Sequence, residues 1–311
     1  MKVTPSLGKI RLARLKSMLS ESADKISWRS ILIIGVLLIL TISSLCYVTP
    51  CPKRYVVFAG YNANGEIAPY VKRYIKELNK ISAGVVYITD SPLSEKAKKE
   101  IAPYVIHGEY QRHGEYDWGS YKRGYAWLKA NQKLENADEL IFANDSCYAP
   151  LQSFRPMFKK MRHVGVDFWG NTQNQKFNQH LQSYFLVFRR PIINSKTFAT
   201  FMENIKKQPD HSLYITEYEI KLTPMLENLG YTWTSYIPNI SAEKKALGKS
   251  EDPNSYPLTL IKEYHNQFLK RRTFTDKLPI EEDKEALLSY LHQHAPTTYN
   301  NIKADFPPQI R

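Results

Sequence analysis

Short apolar runs recur along the chain between stretches of helical periodicity, and that rhythm predicts its elements. Tyr55–Ala59 (YVVFA), Val85–Thr89 (VVYIT), Leu140–Phe142 and Ser183–Phe188 (SYFLVF) are continuous and rich in β-branched and aromatic residues, as strands buried on both faces are. Shorter strand candidates lie at 103–107 and 167–170. Helices are predicted over 68–80, 120–133, 154–162, 197–206 and 217–229, the last stopped by Gly230 as a left-handed cap. Strands alternating with helices over residues 55–275 imply one α/β domain with a mixed, mostly parallel sheet flanked by helices. Residues 276–311 read as a helical extension that ends in the proline-rich tail FPPQIR.

One apolar run belongs to a different class. Ile31–Val48 (ILIIGVLLILTISSLCYV) carries no charge, and at 1.5 Å per residue its length is about that of the hydrocarbon core of a bilayer. It predicts a single transmembrane anchor at 31–48. A cleaved signal peptide fits less well, because Val48-Thr49-Pro50 is a poor cleavage site. The basic segment 1–30 before it holds Lys2, Lys9, Arg11, Arg14, Lys16, Lys25 and Arg29 against Glu21 and Asp24.

Composition narrows the partners. With 311 residues and 43% hydrophobic content the chain can bury a substantial core. A net charge of +13 suits nucleic acid, an anionic membrane or a phosphorylated substrate. Much of that charge sits beside the apolar run and no nucleic-acid motif occurs, so nucleic acid is not an expected partner. The three cysteines, Cys46, Cys51 and Cys147, form no CxxC or zinc spacing, which excludes a disulfide-stapled or zinc-finger fold.

The chemistry concentrates in LIFANDSCYAP (140–150). A buried strand stops abruptly at Asn144-Asp145-Ser146, and in open α/β sheets ligands bind outside the carboxyl ends of the strands. Asn144, Asp145 and Ser146 offer the oxygen ligands that Mg²⁺ or Mn²⁺ prefers, suggesting a metal-bridged diphosphate with Asp145 as the metal ligand. The same three residues also suit an ordinary turn or helix cap.

Seven segments set this strand end in context. FAGYNANGEIAPYV (58–71), GEYDWGSYKRGY (114–125), ANDSCYAPL (143–151), VDFWGNTQ (166–173), HLQSYFLVFRR (180–190), TEYEIKLT (216–223) and FLKRRTF (268–274) together resemble the rhamnan synthesis protein F family of bacterial cell-surface polysaccharide glycosyltransferases. The chain departs from the family at Asn266-Gln267, where Gly and Pro are expected. The resemblance implies a nucleotide-diphospho-sugar transferase (GT-A-like) fold. It also implies an enzyme that passes a sugar, rhamnose in the simplest case, from a nucleotide-sugar donor to a polysaccharide or lipid-linked glycan acceptor; the membrane anchor is read from the apolar run at 31–48 and not from the resemblance.

Site candidates follow from residues and resemblance together. Gly60, Tyr61 and Asn62, in the loop after the first strand, stand where the nucleotide is expected, with glycine allowing close approach and tyrosine able to stack on the base. Asp117 is a candidate for base or ribose, or else a helix cap, and Lys122 lies one turn on. Asn144 and Trp169 are donor-sugar candidates, Trp169 equally a core residue. His180 and Gln182 are candidates for sugar or acceptor contacts. Lys270 and Arg271 are candidates to share neutralisation of the diphosphate, or form a solvated basic edge. The catalytic base is sought in Glu217 and Glu219, which cannot share one helical face, with Glu219 the better match to the family.

Two rival functions remain open on sequence. A glycoside hydrolase would need two facing acids and no diphosphate site. A noncatalytic glycan-binding or assembly subunit is favoured by the single carboxylate where such transferases usually carry two. Membrane topology meets two opposed arguments. Seven cations before the apolar run, and only Lys53 and Arg54 close after it, retain the N-terminus in the cytoplasm and would send the domain outside. The bacterial resemblance, with donors made in the cytosol, favours a cytoplasmic catalytic domain at the inner membrane.

Overall fold

Every residue of the central strand is buried: Arg54–Gly60 (β1) alternates Val56 and Phe58 toward one core with Tyr55, Val57 and Ala59 toward another. A strand can bury both faces only inside a sheet covered on both sides, and this one is. The structure, a computed structural model, describes residue 33 and residues 51–275 and 280–306. The remaining strands are β2 (Gly84–Thr89), β3 (His107–Tyr110), β4 (Glu139–Asn144), β5 (Cys147–Tyr148), β6 (Phe168–Gly170), β7 (Gln173–Asn174), β8 (His180–Leu181), β9 (Phe185–Arg189), β10 (Trp233–Ser235) and β11 (Leu269–Lys270). With β1, six of these form the seven-stranded main sheet in the order β10-β6-β9-β4-β1-β2-β3, in which β9 alone runs against the others. The expected mixed, mostly parallel α/β sheet is therefore present. Small antiparallel pairs, β11 with β5 and β7 with β8, lie outside it.

Helix Tyr116–Ala130 covers one face. It approaches β1 so closely that a Cβ on Gly124 would lie 2.3 Å from a Val57 methyl, so the packing requires glycine. Helices Pro69–Asn79 and Arg155–Arg162 cover the other face through Tyr74, Ile75 and Leu78, and through Met157, Phe158 and Met161. Leu287, Leu288 and Leu291 of helix Lys284–His294 enter that same core, and residues 52–311 form one compact unit.

Most apolar runs are strands as predicted; the departures have physical causes. The strand expected at 103–107 lies at His107–Tyr110, because Pro103 sits in a short helical turn and the strand is a half-buried edge without an apolar run. The brief β10, with Thr and Ser in its three residues, carries no apolar signal either. The helix expected from residue 120 begins at Tyr116, which puts Asp117 in its first turn. The helix expected from 217 is the end of a longer run. It starts at His211, is capped by the Asp210 carboxylate, widens into a π-helical turn over Ile215–Glu219, and continues over Ile220–Asn228 around Pro224. Proline cannot donate to the carbonyl one turn back, and the widened turn immediately precedes that position. Gly230 follows with φ +85°, the left-handed stop that was expected. The anchor predicted over 31–48 lies outside the described residues apart from Ile33, as do most of the tail FPPQIR and residues 1–30. Among the described residues no helix is long and apolar enough to cross a membrane.

Candidate active site

The carboxyl ends of β1, β2 and β4 open into a cleft of two adjoining chambers. The first, about 360 Å³, is lined by Gly60, Tyr61, Asp90, Arg112 and Tyr116. The second, about 400 Å³, is lined by Gln182, Ser183, Glu219, Lys270, Arg271 and Arg272. Asp117, Asn144, Asp145, Ser146 and His211 line both and form the partition.

Asp145 follows the last residue of β4. Its Oδ2 accepts the Tyr61 N–H at 2.7 Å, which ties the first-strand loop to the partition. Burial is the main influence on its carboxyl and lifts it to about 6; the Tyr61 N–H and Arg271 oppose that rise and the neighbouring Asp117 adds to it. Asp145 is therefore largely ionised at neutral pH while poorly solvated, a state suited to accepting hydrogen bonds from ligand hydroxyls. Asn144 lines both chambers, with its amide already committed to neighbouring groups. Its Nδ2 donates to Asp117 Oδ2 at 2.8 Å, and its Oδ1 accepts from the Ser146 N–H at 3.2 Å and the Ser146 hydroxyl at 2.6 Å. Burial, and then repulsion from Glu219, also raise the Asp117 carboxyl.

Among the described residues no group of three or more His, Cys, Asp or Glu side chains is placed to hold a metal ion. Of the three motif side chains, Asn144 and Ser146 spend their oxygens on each other and Asp145 spends one on a backbone N–H. The Lys270 ammonium stands 3.0 Å from Ser146 Oγ, beside the place a dication would take. A carboxylate next to an ammonium is a poor donor set for Mg²⁺ or Mn²⁺, so the residues present do not favour the expected metal site at Asp145.

Lys270 and Arg271, more than 120 residues from Ser146 in sequence, reach it through main-chain pairing: β11 pairs with β5, and the Arg271 N–H donates to the Ser146 carbonyl at 2.9 Å. The Lys270 ammonium lies over the Tyr184 ring at 3.8 Å and the Arg271 guanidinium over the Tyr70 ring at 4.9 Å. Burial pushes the Lys270 pKa down.

Glu219 faces the second chamber from the widened turn. Its Oε2 accepts from the Ser183 N–H at 2.8 Å and, in a short bond, from the Ser183 hydroxyl; its Oε1 lies 3.8 Å from His180 Nε2. Burial would raise the Glu219 carboxyl, but the bonds from His180 and Ser183 outweigh it and hold the group below the usual carboxylate range. His180, buried, donates through Nδ1 to the Asn178 carbonyl at 2.6 Å and supports Glu219 rather than lining the cleft. Gln182 lines the second chamber, but its Oε1 is taken by Thr172 (2.6 Å) and Asn254 (2.9 Å).

Other sequence candidates stand elsewhere. Glu217 points away and pairs with Lys221 at 2.5 Å on an exposed face. Trp169 is fully buried among Phe158 and Phe185, so the core alternative holds for it. Lys122 donates to the Ile205 carbonyl at 2.6 Å on the outer side of its helix. Asn62 caps its own loop, accepting the Asn64 N–H at 2.9 Å. Gly60 does line the first chamber, yet its lack of a side chain is also required by Tyr87, whose ring would be 2.6 Å from a Cβ. Tyr61 is half exposed at the mouth, with Arg112 over its ring at 5.5 Å.

Sequence reasoning missed Asp90, Arg112, Tyr116, His211 and Arg272. Asp90 carried a usable signal: it follows β2 as Asp145 follows β4, and the strand-end argument applied to one applies to the other. Tyr116 and His211 meet only in three dimensions, with ring centroids 4.9 Å apart.

The chain is 27% identical over 161 residues to an uncharacterized protein of Sinorhizobium fredii, covering 50% of this chain and 41% of that one. It is 29% identical over 109 residues to virulence protein VirA of Vibrio anguillarum, covering 34% of each. It thus spans less than half the length of these curated relatives. Among solved structures, a glycosyltransferase involved in glycosylation of the major capsid of PBCV-1 superposes with a TM-score of 0.39 at 8% identity, over 70% of this chain and 94% of that one, a likeness too distant to carry function. The model of the rhamnan synthesis protein F family matches residues 85–303. The chain belongs to the rhamnan synthesis protein F family.

Proposed function

We propose that this chain is a glycosyltransferase that takes a sugar from a nucleotide-diphospho-sugar and passes it to a hydroxyl of a cell-surface glycan. The observation that carries the reading is the partitioned cleft: an aromatic-rimmed chamber and a cation-walled chamber meet at Asp145, beyond the carboxyl ends of parallel strands. A base and ribose fit the first chamber beside Tyr61 and Tyr116. The diphosphate and sugar fit the second, where Lys270 and Arg271 face carboxylates.

In the reaction the acceptor oxygen bonds to the anomeric carbon. The bond from that carbon to the diphosphate oxygen breaks and leaves its electron pair on the diphosphate. The hydroxyl proton passes to a carboxylate of the cleft. The transition state has oxocarbenium character, as in glycoside hydrolysis. Glu219, ionised and aimed by Ser183 and His180, is the group we assign as base. Glu217 drops out because it faces solvent. Asp145 accepts hydroxyl hydrogen bonds of the donor and holds the Tyr61 loop. A hydrolase is disfavoured by the cation wall, which serves a leaving diphosphate and has no use in cleaving a neutral glycosidic bond.

The finer reading is rhamnosyl transfer to a surface polysaccharide or lipopolysaccharide acceptor, supported by family membership. The test is a panel of nucleotide sugars, dTDP-rhamnose included, incubated with the chain and bacterial membranes. Nucleoside diphosphate release from at least one donor, lost in Asp145→Asn, is the expected result; release from none overturns the reading. We propose further that residues 31–48 anchor the enzyme in the bacterial inner membrane with its domain in the cytoplasm. In a Cys51→Ser background, Lys277→Cys should resist a membrane-impermeant thiol reagent in intact cells. Labelling there would refute the placement.

A further inference from the structure

We propose that three consecutive cations, Lys270, Arg271 and Arg272, neutralise the donor's diphosphate in the second chamber, so that nucleotide binding does not depend on a divalent metal. This rests on the donor-site reading above. All three side chains line that chamber. They are placed with backbone precision, since β11 is hydrogen-bonded to β5 and the Arg271 N–H is bonded to the Ser146 carbonyl at 2.9 Å. Each is pre-oriented by its partners. Lys270 rests over Tyr184 and, among the described residues, engages one of its three donors, with Ser146 at 3.0 Å. Arg271 rests over Tyr70, is hydrogen-bonded to Tyr148 and lies 3.5 Å from Asp305. Arg272 is held by Asp252 at 2.7 Å. The Nε atoms of both arginines are buried with no hydrogen-bond partner among the described residues.

Charge balance favours the same assignment. When the anomeric C–O bond breaks, the diphosphate gains one negative charge, and fixed cations at its oxygens stabilise that change without reorganisation. The same ammonium that would serve the diphosphate repels a dication at Asn144-Asp145-Ser146. Arginine forks match phosphate oxygens bidentately, and lysine adds a point charge.

The experiment is calorimetric titration of the full chain with dTDP, UDP, GDP and CDP, once in EDTA and once in Mn²⁺. At least one diphosphate should bind in EDTA, with Mn²⁺ changing its Kd by less than about threefold. Lys270→Gln should weaken that diphosphate about 10-fold or more, the scale of one charge-assisted hydrogen bond, while Lys270→Arg retains most of the affinity. Thermal melting checks that each variant is folded; Arg272→Gln at the chamber rim gives a second reading should Lys270→Gln unfold. Binding that requires Mn²⁺, or diphosphate affinity unchanged in both neutral variants, would overturn the proposal and leave the donor-site reading standing. Binding of none of the four under either condition would remove the donor-site reading, and this inference with it.

Discussion

Two aspartates occupy equivalent places in this fold and have come to different chemistry. Asp90 follows β2 and Asp145 follows β4, on either side of β1, and both line the first chamber. Asp90 is consumed by its own backbone: it accepts the His113 N–H at 2.7 Å, the Gly114 N–H at 2.6 Å and the Tyr116 N–H at 3.3 Å, with Arg112 at 3.7 Å. It works as a clamp that gathers residues 112–116, including Tyr116 at φ 52°, against the sheet. Asp145 accepts a single N–H from another segment and lines both chambers. Strand-end position places a carboxylate near a ligand; the count of N–H groups already bonded to it decides whether the ligand can use it.

The comparison breaks first at activity. Asp145→Asn should lower transfer by about 10²-fold or more, the scale of a lost transition-state hydrogen-bonding group, with thermal stability changed by no more than about 1–2 kcal/mol. Retained turnover in a nucleoside-diphosphate release assay would equate Asp145 with Asp90 as a structural group. Glu219→Gln should cost turnover about 10²-fold while donor binding persists; lost binding with unchanged turnover of bound donor would remove it as the base.

Asp90→Asn should act through stability. Replacing an acceptor of several N–H bonds by an amide forfeits charge-assisted bonds worth about 2 kcal/mol in all, which lowers the melting temperature by about 4–8 °C in a domain of this size. An unshifted melting curve with lost donor binding would instead make Asp90 the ligand contact.

A subtler separation comes from pH. The Asp145 carboxyl titrates near 6 in the folded chain, mainly through burial, and near 4 when unfolded. The folded state then holds the extra proton between those values, so this group's contribution to stability falls as pH rises from about 4 to about 6. Asp145→Asn should therefore gain stability relative to the parent above pH 6 and lose that advantage below pH 4. Parallel stability profiles of parent and variant across that range would contradict it. The smallest effect belongs to Glu217→Gln, which should leave melting within about 0.5 kcal/mol and turnover unchanged, as for an exposed ion pair.

What could be read from the sequence follows from where information is local. The runs YVVFA, VVYIT and SYFLVF announce β1, β2 and β9 because burial on both faces demands continuous apolar residues. Edge strands β3 and β10 escape because they need none. The placement of Asp145 and Glu219 at one cleft was legible from strand-end position and family pattern. The clamp around Asp90, the edge-on contact of Tyr116 with His211 and the pairing of β11 with β5 depend on segments tens to more than a hundred residues apart, which no local pattern encodes. The state of the motif's oxygens is likewise not local: only the fold shows Asn144 and Ser146 bonded to each other with Lys270 alongside.

The central claim, that donor binds across the Asp145 partition, is tested most directly by hydrogen exchange with and without the nucleotide sugar that gives the strongest release. The account predicts protection at residues 60–62, 144–148 and 269–272, with the outer groove formed by Lys122, Lys129 and Glu203 unchanged. Protection confined to that outer groove, or none at the partition under saturating donor, would contradict it.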